Sequence, residues 1–306
     1  MPFTPRTYHH WHLRTCTLAL GQRTLIMGIL NVTPDSFSDG GHFYSPEHAP
    51  ERALEQAIKM LDEGADILDI GGESTRPNAT PLSPGEEQSR VLPVIEAILK
   101  QKPEATLSID TFHASTARQA IEAGAEIVND VSGHLWDSDM STTCTELGCG
   151  TILMHTQGRP QDWPTLPPLA QDEVIPLVLT ELAQRLEAAV TAGIHHNKIV
   201  LDPGLGFGKR LDENYPVLAH LDQLRQFNLP ILLGASRKGF LAHTLTQHPS
   251  LSTLLNGGAP SMEDRLHATT AANVAAILAG AHIIRTHDVR PAVEAAAIAD
   301  RILETP

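Results

Sequence analysis

Eight short runs of large apolar residues recur along the chain, and each stops at a polar or charged residue. They are LIMGILN (25–31), DILDIGG (66–72), TLSIDT (106–111), IVNDVS (127–132), GTILMH (150–155), KIVLDPG (198–204), PILLGAS (230–236) and HIIRTH (282–287). Runs this short and this continuously apolar fit parallel strands covered on both faces. Between them lie stretches with helical spacing. SPEHAPERALEQAIKMLDEGA offers Ser45 as N-cap, Pro46 at the first helical position and Gly64 as a stop. SPGEEQSRVLPVIEAILK, HASTARQAIEAGA, QDEVIPLVLTELAQRLEAAVTAGI, DENYPVLAHLDQLRQF, MEDRLHATTAANVAAILAGA and PAVEAAAIADRILE read as helices, and DSDMSTTCTELG as a shorter one. LTQHPSLSTLLNGGAPS reads as the longest irregular stretch.

Eight strand–helix units predict a closed (β/α)8 TIM barrel, with an open doubly wound sheet as the alternative. The alternation in HLRTCTLAL (12–20), followed by GQR, suggests a hairpin strand leading into the first barrel strand. No linker splits the chain, so residues 1–306 are expected to form one domain: a hairpin or extension over 1–23 and a barrel over 24–304.

Composition narrows the function classes. The net charge of −14 leaves no basic footprint for nucleic acid or anionic lipid, so any anionic substrate must be held by local cations. No run approaches the roughly 20 apolar residues of a membrane span, and the N-terminal segment lacks the pattern of a signal peptide. Cys16, Cys144 and Cys149 form no framework and no zinc spacing, which fits a reducing compartment and a cytoplasmic protein.

In a parallel barrel all strand C-termini open on one rim, so the polar strand ends converge there. They are Asn31, Asp69, Asp110, Asn129 with Asp130, His155, Asp202, Ser236, and Arg285 with His287. Asp69 and Asp110 sit within or directly after apolar runs, where a carboxylate without partners is costly. The long segment GGESTRPNATPLSPGEE (71–87) brings Ser74, Thr75 and Arg76, and GASRKGF (234–240) brings Arg237 and Lys238. With Arg285 and His287, these cations could hold a diphosphate at the mouth. PGLGFGK (203–209) fits neither phosphate-loop spacing, because Arg210 follows Lys209, and its glycines are read as allowing close backbone approach. HHWH (9–12) reads as a surface histidine cluster, and Trp136 and Trp163 as packing or loop anchors.

GILNVTPDSFSDGG, ILDIGGESTRP, SIDT, IVNDVSG, LMHTQGRP, LDPGLGFGK, ASRKGF and IIRTHDV, in this order from about residue 25 to 290, resemble the dihydropteroate synthases. That family makes dihydropteroate in folate synthesis and is the target class of sulfonamides. The resemblance implies a condensation of a dihydropterin methyl diphosphate with 4-aminobenzoate. It implies that Asp110, Asn129, Met154, Asp202, Gly234 and Lys238 hold the pterin, and that Asn31, Arg285 and His287, supported by Asp69, face the diphosphate. Asn31 would also be a ligand of Mg²⁺. Pro34 and Phe37 from the first loop, Thr75, Arg76 and Pro77 from the second, and Phe207 and Ser236 opposite would complete the 4-aminobenzoate site. Asn31, Asp110, Lys238, Arg285 and His287 would carry the chemistry, expected to be dissociative, and late helices would pair two copies into a homodimer. A pterin methyltransferase domain, a non-catalytic pterin-binding homologue and some other phosphate-handling barrel enzyme are the rival readings. SFSDGG with GGESTRP and the cations at the mouth favour the synthase.

Overall fold

The computed structural model describes residues 3–33, 49–73, 82–255 and 258–305. The eight apolar runs all become parallel strands: β3 Leu25–Asn31, β4 Ile67–Gly71, β5 Thr106–Asp110, β6 Ile127–Asp130, β7 Gly150–Met154, β8 Ile199–Asp202, β9 Leu232–Leu233 and β10 Ile283–Thr286. They pair in the order β8-β7-β6-β5-β4-β3-β10-β9, and a parallel bridge from Leu201 to Ile231 joins the two ends. The sheet therefore closes into the expected barrel.

Helices α1 Ala49–Asp62, α2 Pro84–Gln101, α3 Ala114–Glu122, α4 Met140–Leu147, α5 Gln171–Thr191, α6 Tyr215–Ala219, α7 Gly239–Gln247, α8 Pro249–Leu254, α9 Arg265–Ala279 and α10 Val289–Leu303 cover it. Ser45 and Pro46, the expected start of the first helix, lie outside the described residues. Two helical expectations differ from what forms. The stretch 212–227 breaks into 3-10 turns around the short α6, with His220 at φ −124° and Asn228 in the left-handed region. The stretch expected to be irregular is largely helical, because Pro249 sits at a first helical position, where its missing N–H costs nothing, and starts α8.

The N-terminal hairpin is present, but its turn falls inside 12–20. Strands β1 (His9–His12) and β2 (Thr17–Leu20) pair antiparallel with each other and not with β3, and Leu13 N donates to Cys16 O across the turn. The cause is packing. Trp11, Leu13 and Leu20 cluster with Met27, Ile67, Ile127, Ile152, Val200, Leu232 and Ile283, so the hairpin plugs the N-terminal end of the barrel. Trp11 Nε1 also donates to Lys198 O at 2.8 Å.

That floor sets the parity of everything above it. Alternate residues of a strand face the same side. Counting in twos from the floor residues reaches Ile29 and Asn31, Asp69, Asn129, Met154, Asp202, Gly234 and Ser236, and Arg285 and His287. A closed floor and one open, polar end are the two faces of the same alternation.

Candidate active site

Register brings the strand ends level. Asn31 pairs with Gly71, Gly71 with Asp110, and Asp110 with Asn129, while Met154 pairs with Asp202. Gly71 leaves room between its neighbours: a Cβ there would stand 3.7 Å from Asp110 Oδ2 and 3.8 Å from Asn31 Oδ1.

A buried network ties the centre together. Asp69 is fully buried, and its Oδ2 accepts from Arg285 Nε at 2.6 Å and from Asn129 Nδ2 at 2.8 Å. Arg285 Nη2 donates to Asp110 Oδ2 at 2.5 Å. Its other neighbour is Gly234, where a Cβ would lie 3.6 Å from Arg285 Cβ. Burial opposes the Arg285 charge, but Asp69 and Asp110 outweigh it and raise its pKa above the ordinary arginine value. Burial also pushes the Asp110 carboxyl up to about 7; Arg285 pulls it down, and the carboxylates of Asp69, Glu87 and Asp130 add to the rise. The Asp202 carboxyl is raised for the same first reason, against the pull of Gly204 N–H, Lys238, Arg285 and Lys209.

Lys238 lies on the opposite wall. Its Nζ donates to Leu205 O and stands 4.3 Å from the centre of the Phe207 ring. Burial lowers its pKa to about 8; Asp202 and Asp110 act to raise it and Arg285 to lower it. Phe207 is braced by Trp163, ring centres 5.5 Å apart and nearly perpendicular, so Trp163 is indeed a loop anchor. Ser236 Oγ and His287 Nδ1 are 3.0 Å apart, and His287 N donates to Ser236 Oγ at 3.2 Å. Arg237, just before Lys238, turns away: it adopts φ 58° and forks onto Asp288 at 2.6 and 3.1 Å.

Of the sequence-predicted residues, Asn31, Asp69, Asp110, Asn129, Met154, Asp202, Phe207, Gly234, Ser236, Lys238, Arg285 and His287 line this one end of the barrel. Pro34, Phe37, Thr75, Arg76 and Pro77 lie outside the described residues. Sequence reasoning missed Lys209, whose Nζ is buried against His155 Nδ1 and Gly204 O, both at 2.8 Å. It also gave no hint that the Leu205 carbonyl would receive Lys238. The available signal was a lysine closing a run of three glycines, discarded because it failed a nucleotide-binding spacing.

The oxygens at the Asn31 side suit a hard cation. Asn31 Oδ1 and Asp110 Oδ2 flank Gly71, and Asp69 Oδ1 is buried with no partner among the described residues. Magnesium takes oxygen donors of this kind and keeps several waters. Among the described residues no three His, Cys, Asp or Glu cluster as a metal site.

The closed barrel and its mouth define a class. Residues 27–287 match the family described as pterin binding enzyme. Dihydropteroate synthase of Bacillus subtilis (strain 168) is 38% identical over 292 residues, 95% of this chain and 93% of that protein. A solved dihydropteroate synthase from Xanthomonas albilineans with 4-aminobenzoic acid is 36% identical, with a TM-score of 0.84 and 98% and 100% of the two chains covered. Another from that organism, in complex with 7,8-dihydropteroate, is 34% identical, with a TM-score of 0.78 over 94% and 97%. The chain belongs to the dihydropteroate synthase family.

Proposed function

We propose that this chain condenses 6-hydroxymethyl-7,8-dihydropterin diphosphate with 4-aminobenzoate, giving 7,8-dihydropteroate and diphosphate. The observation that carries the reading is the convergence of Asp69, Asp110, Asn129 and Asp202 with Arg285 and Lys238 on one barrel mouth. The 4-aminobenzoic acid and dihydropteroate held by the X. albilineans relatives are the substrate and product this assigns.

The aminopyrimidinone edge of a pterin offers adjacent N–H donors. Carboxylates at Asp110 and Asp202 and the amide of Asn129 accept and orient them, while Met154 and Gly234 supply a flat apolar wall. Lys238 donates to the pterin's acceptor atoms. At the rim, Arg285 and His287 hold the diphosphate, with Asp69 fixing the guanidinium. Asn31 would hold Mg²⁺, which when bound supplies charge neutralisation on the leaving group. The bond between the pterin methylene carbon and the diphosphate oxygen breaks with its electron pair leaving on diphosphate. The arylamine nitrogen then bonds to the methylene carbon and loses one proton. Phe207 and Ser236, with Pro34, Phe37, Thr75, Arg76 and Pro77, position the arylamine and exclude water from the cation.

The cysteines are all free, as in a reducing cytoplasm. No helix of the described residues is long and apolar enough to cross a membrane. Ile298 and Ile302 expose apolar surface on α10, supporting a homodimer through the late helices.

Purified protein with the two substrates and Mg²⁺ should release diphosphate and form dihydropteroate. Folded protein with no turnover would refute the assignment.

A further inference from the structure

We infer that Lys209 is a positioning residue for this reaction: it clamps the loop after β8 so that Asp202, the Leu205 carbonyl and the Phe207 ring stand where Lys238 meets them. The inference rests on the synthase reading above.

The loop cannot hold itself. Gly204, Gly206 and Gly208 have φ of +66°, +77° and +70°, and glycines contribute no side-chain packing while losing the most conformational freedom on ordering. Their left-handed turns point Gly204 O and Phe207 O inward, and Lys209 Nζ meets them at 2.8 and 3.4 Å. His155 Nδ1 is the third acceptor, at 2.8 Å. An ammonium has three donors, and here each faces an acceptor.

The anchor beneath is rigid. His155 is fully buried, and its backbone N–H donates to Asp202 O at 2.8 Å, tying β7 to β8. A Cβ on Gly204 would fall 1.9 Å from His155 O, so loop and strand end are in direct contact. From α5, Arg185 donates to Met154 O at 2.9 Å and Thr156 O at 2.7 Å, and Glu181 Oε2 lies 3.2 Å from His155 Nε2.

The other side of the loop is the site. Gly204 N donates to Asp202 Oδ1 at 2.7 Å. Leu205 O accepts from Lys238, whose aliphatic stem lies alongside Gly206, where a Cβ would be 3.2 Å from its Cδ. The Phe207 ring faces the Lys238 ammonium. One buried amino group, turned toward Gly204 O, Phe207 O and His155 Nδ1, thus fixes three contacts around the pterin and arylamine sites.

Filling the space alone would not call for a lysine. Burial drives the Lys209 pKa well below the ordinary lysine value, with Asp202 pulling the other way. A buried ion is seldom the most stable way to occupy a core, and an apolar replacement of similar volume is often neutral or better. What the apolar replacement cannot do is receive two inward carbonyls and set the loop.

The test is Lys209→Met beside Lys209→Arg in the full chain, with wild-type turnover measured first. Lys209→Met should lower kcat/KM for the pterin diphosphate by at least about tenfold and raise the KM for 4-aminobenzoate, with Lys209→Arg recovering part of the loss. Values of kcat and both KM within about twofold of wild type, even with a lower melting temperature, would overturn the inference. If Lys209→Met does not fold, Lys209→Leu, which likewise offers no donor to Gly204 O, is held to the same criteria. If wild type shows no turnover, the synthase reading fails, and calorimetry with 7,8-dihydropteroate decides the clamp separately. Binding weaker by about tenfold in the variant sustains it, and unchanged binding ends it.

Discussion

The guanidinium of Arg285 closes on Asp110, Nη2 to Oδ2 at 2.5 Å, so a cation assigned to the diphosphate end and a carboxylate assigned to the pterin end form one unit. The same guanidinium reaches Asp69 through Nε. Only a planar fork spans two carboxylates in this way. Arg285→Lys should therefore lower kcat/KM by about 100-fold, and Arg285→Gln by more. The pH profile adds a sharper test. Arg285 pulls down an Asp110 pKa that burial lifts to about 7. Removing the guanidinium must raise it further, so the acid limb of kcat/KM in Arg285→Gln should move to higher pH. A limb that stays in place or moves down would separate Asp110 from the profile.

The alkaline limb reports the other wall. Lys238, at about 8, is held down first by burial and lifted by Asp202 and Asp110. If its ammonium is the working form, wild-type kcat/KM falls as pH rises through that value. Asp202→Asn withdraws one lifting carboxylate, so the alkaline limb should move to lower pH, alongside weaker pterin binding. Steady-state rates across pH 6–10 for both proteins check the direction.

Stability and catalysis should separate at the barrel floor. Trp11 is 1% exposed and carries the hairpin plug. Trp11→Ala should cost about 3–5 kcal/mol of stability through the cavity it leaves. The mouth lies at the opposite end of the strands, so kcat and KM in native buffer should stay within about twofold of wild type. Urea unfolding and steady-state kinetics on one preparation measure both.

Much of this architecture was legible because burial and alternation write themselves into strands. All eight barrel strands follow from apolar runs, and the polar ends at Asp69, Asn129, Asp202 and Arg285 follow from where each run stops. The less legible parts depend on groups without a side-chain signal. Leu205 receives Lys238 through its carbonyl, which any residue would offer. Lys209 points back into the molecule because three glycines turn the chain, and the glycine–lysine run, the one local signal, does not say which way the amino group faces. The hairpin was readable as a hairpin, but its turn position was decided by Trp11 and Leu13 packing beneath strands far away in sequence.

Neighbours of opposite parity make the last test. Asn129 and Asp130 are both buried at the end of β6, and the sequence offers them as a pair. Asn129 faces inward and donates to Asp69 at 2.8 Å. Asp130 faces outward and caps the following turn, its oxygens accepting from Ser132 N at 2.7 Å and His134 N at 3.0 Å, with His134 at φ 68°. Asn129→Ala should weaken pterin binding, whereas Asp130→Asn should lose about 1–2 kcal/mol of stability and leave pterin affinity nearly unchanged. Burial raises the Asp130 pKa to about 6 in the fold. The folded protein thus holds a proton that the unfolded chain releases at lower pH, and the wild-type contribution declines as pH rises from about 4 toward 6. The asparagine variant lacks this slope, so its deficit should be larger at pH 5 than at pH 7. Denaturant midpoints at the two pH values decide the point, and a deficit that grows with pH would show that the hydrogen bonds from Ser132 and His134, which pull the Asp130 pKa down, outweigh its burial.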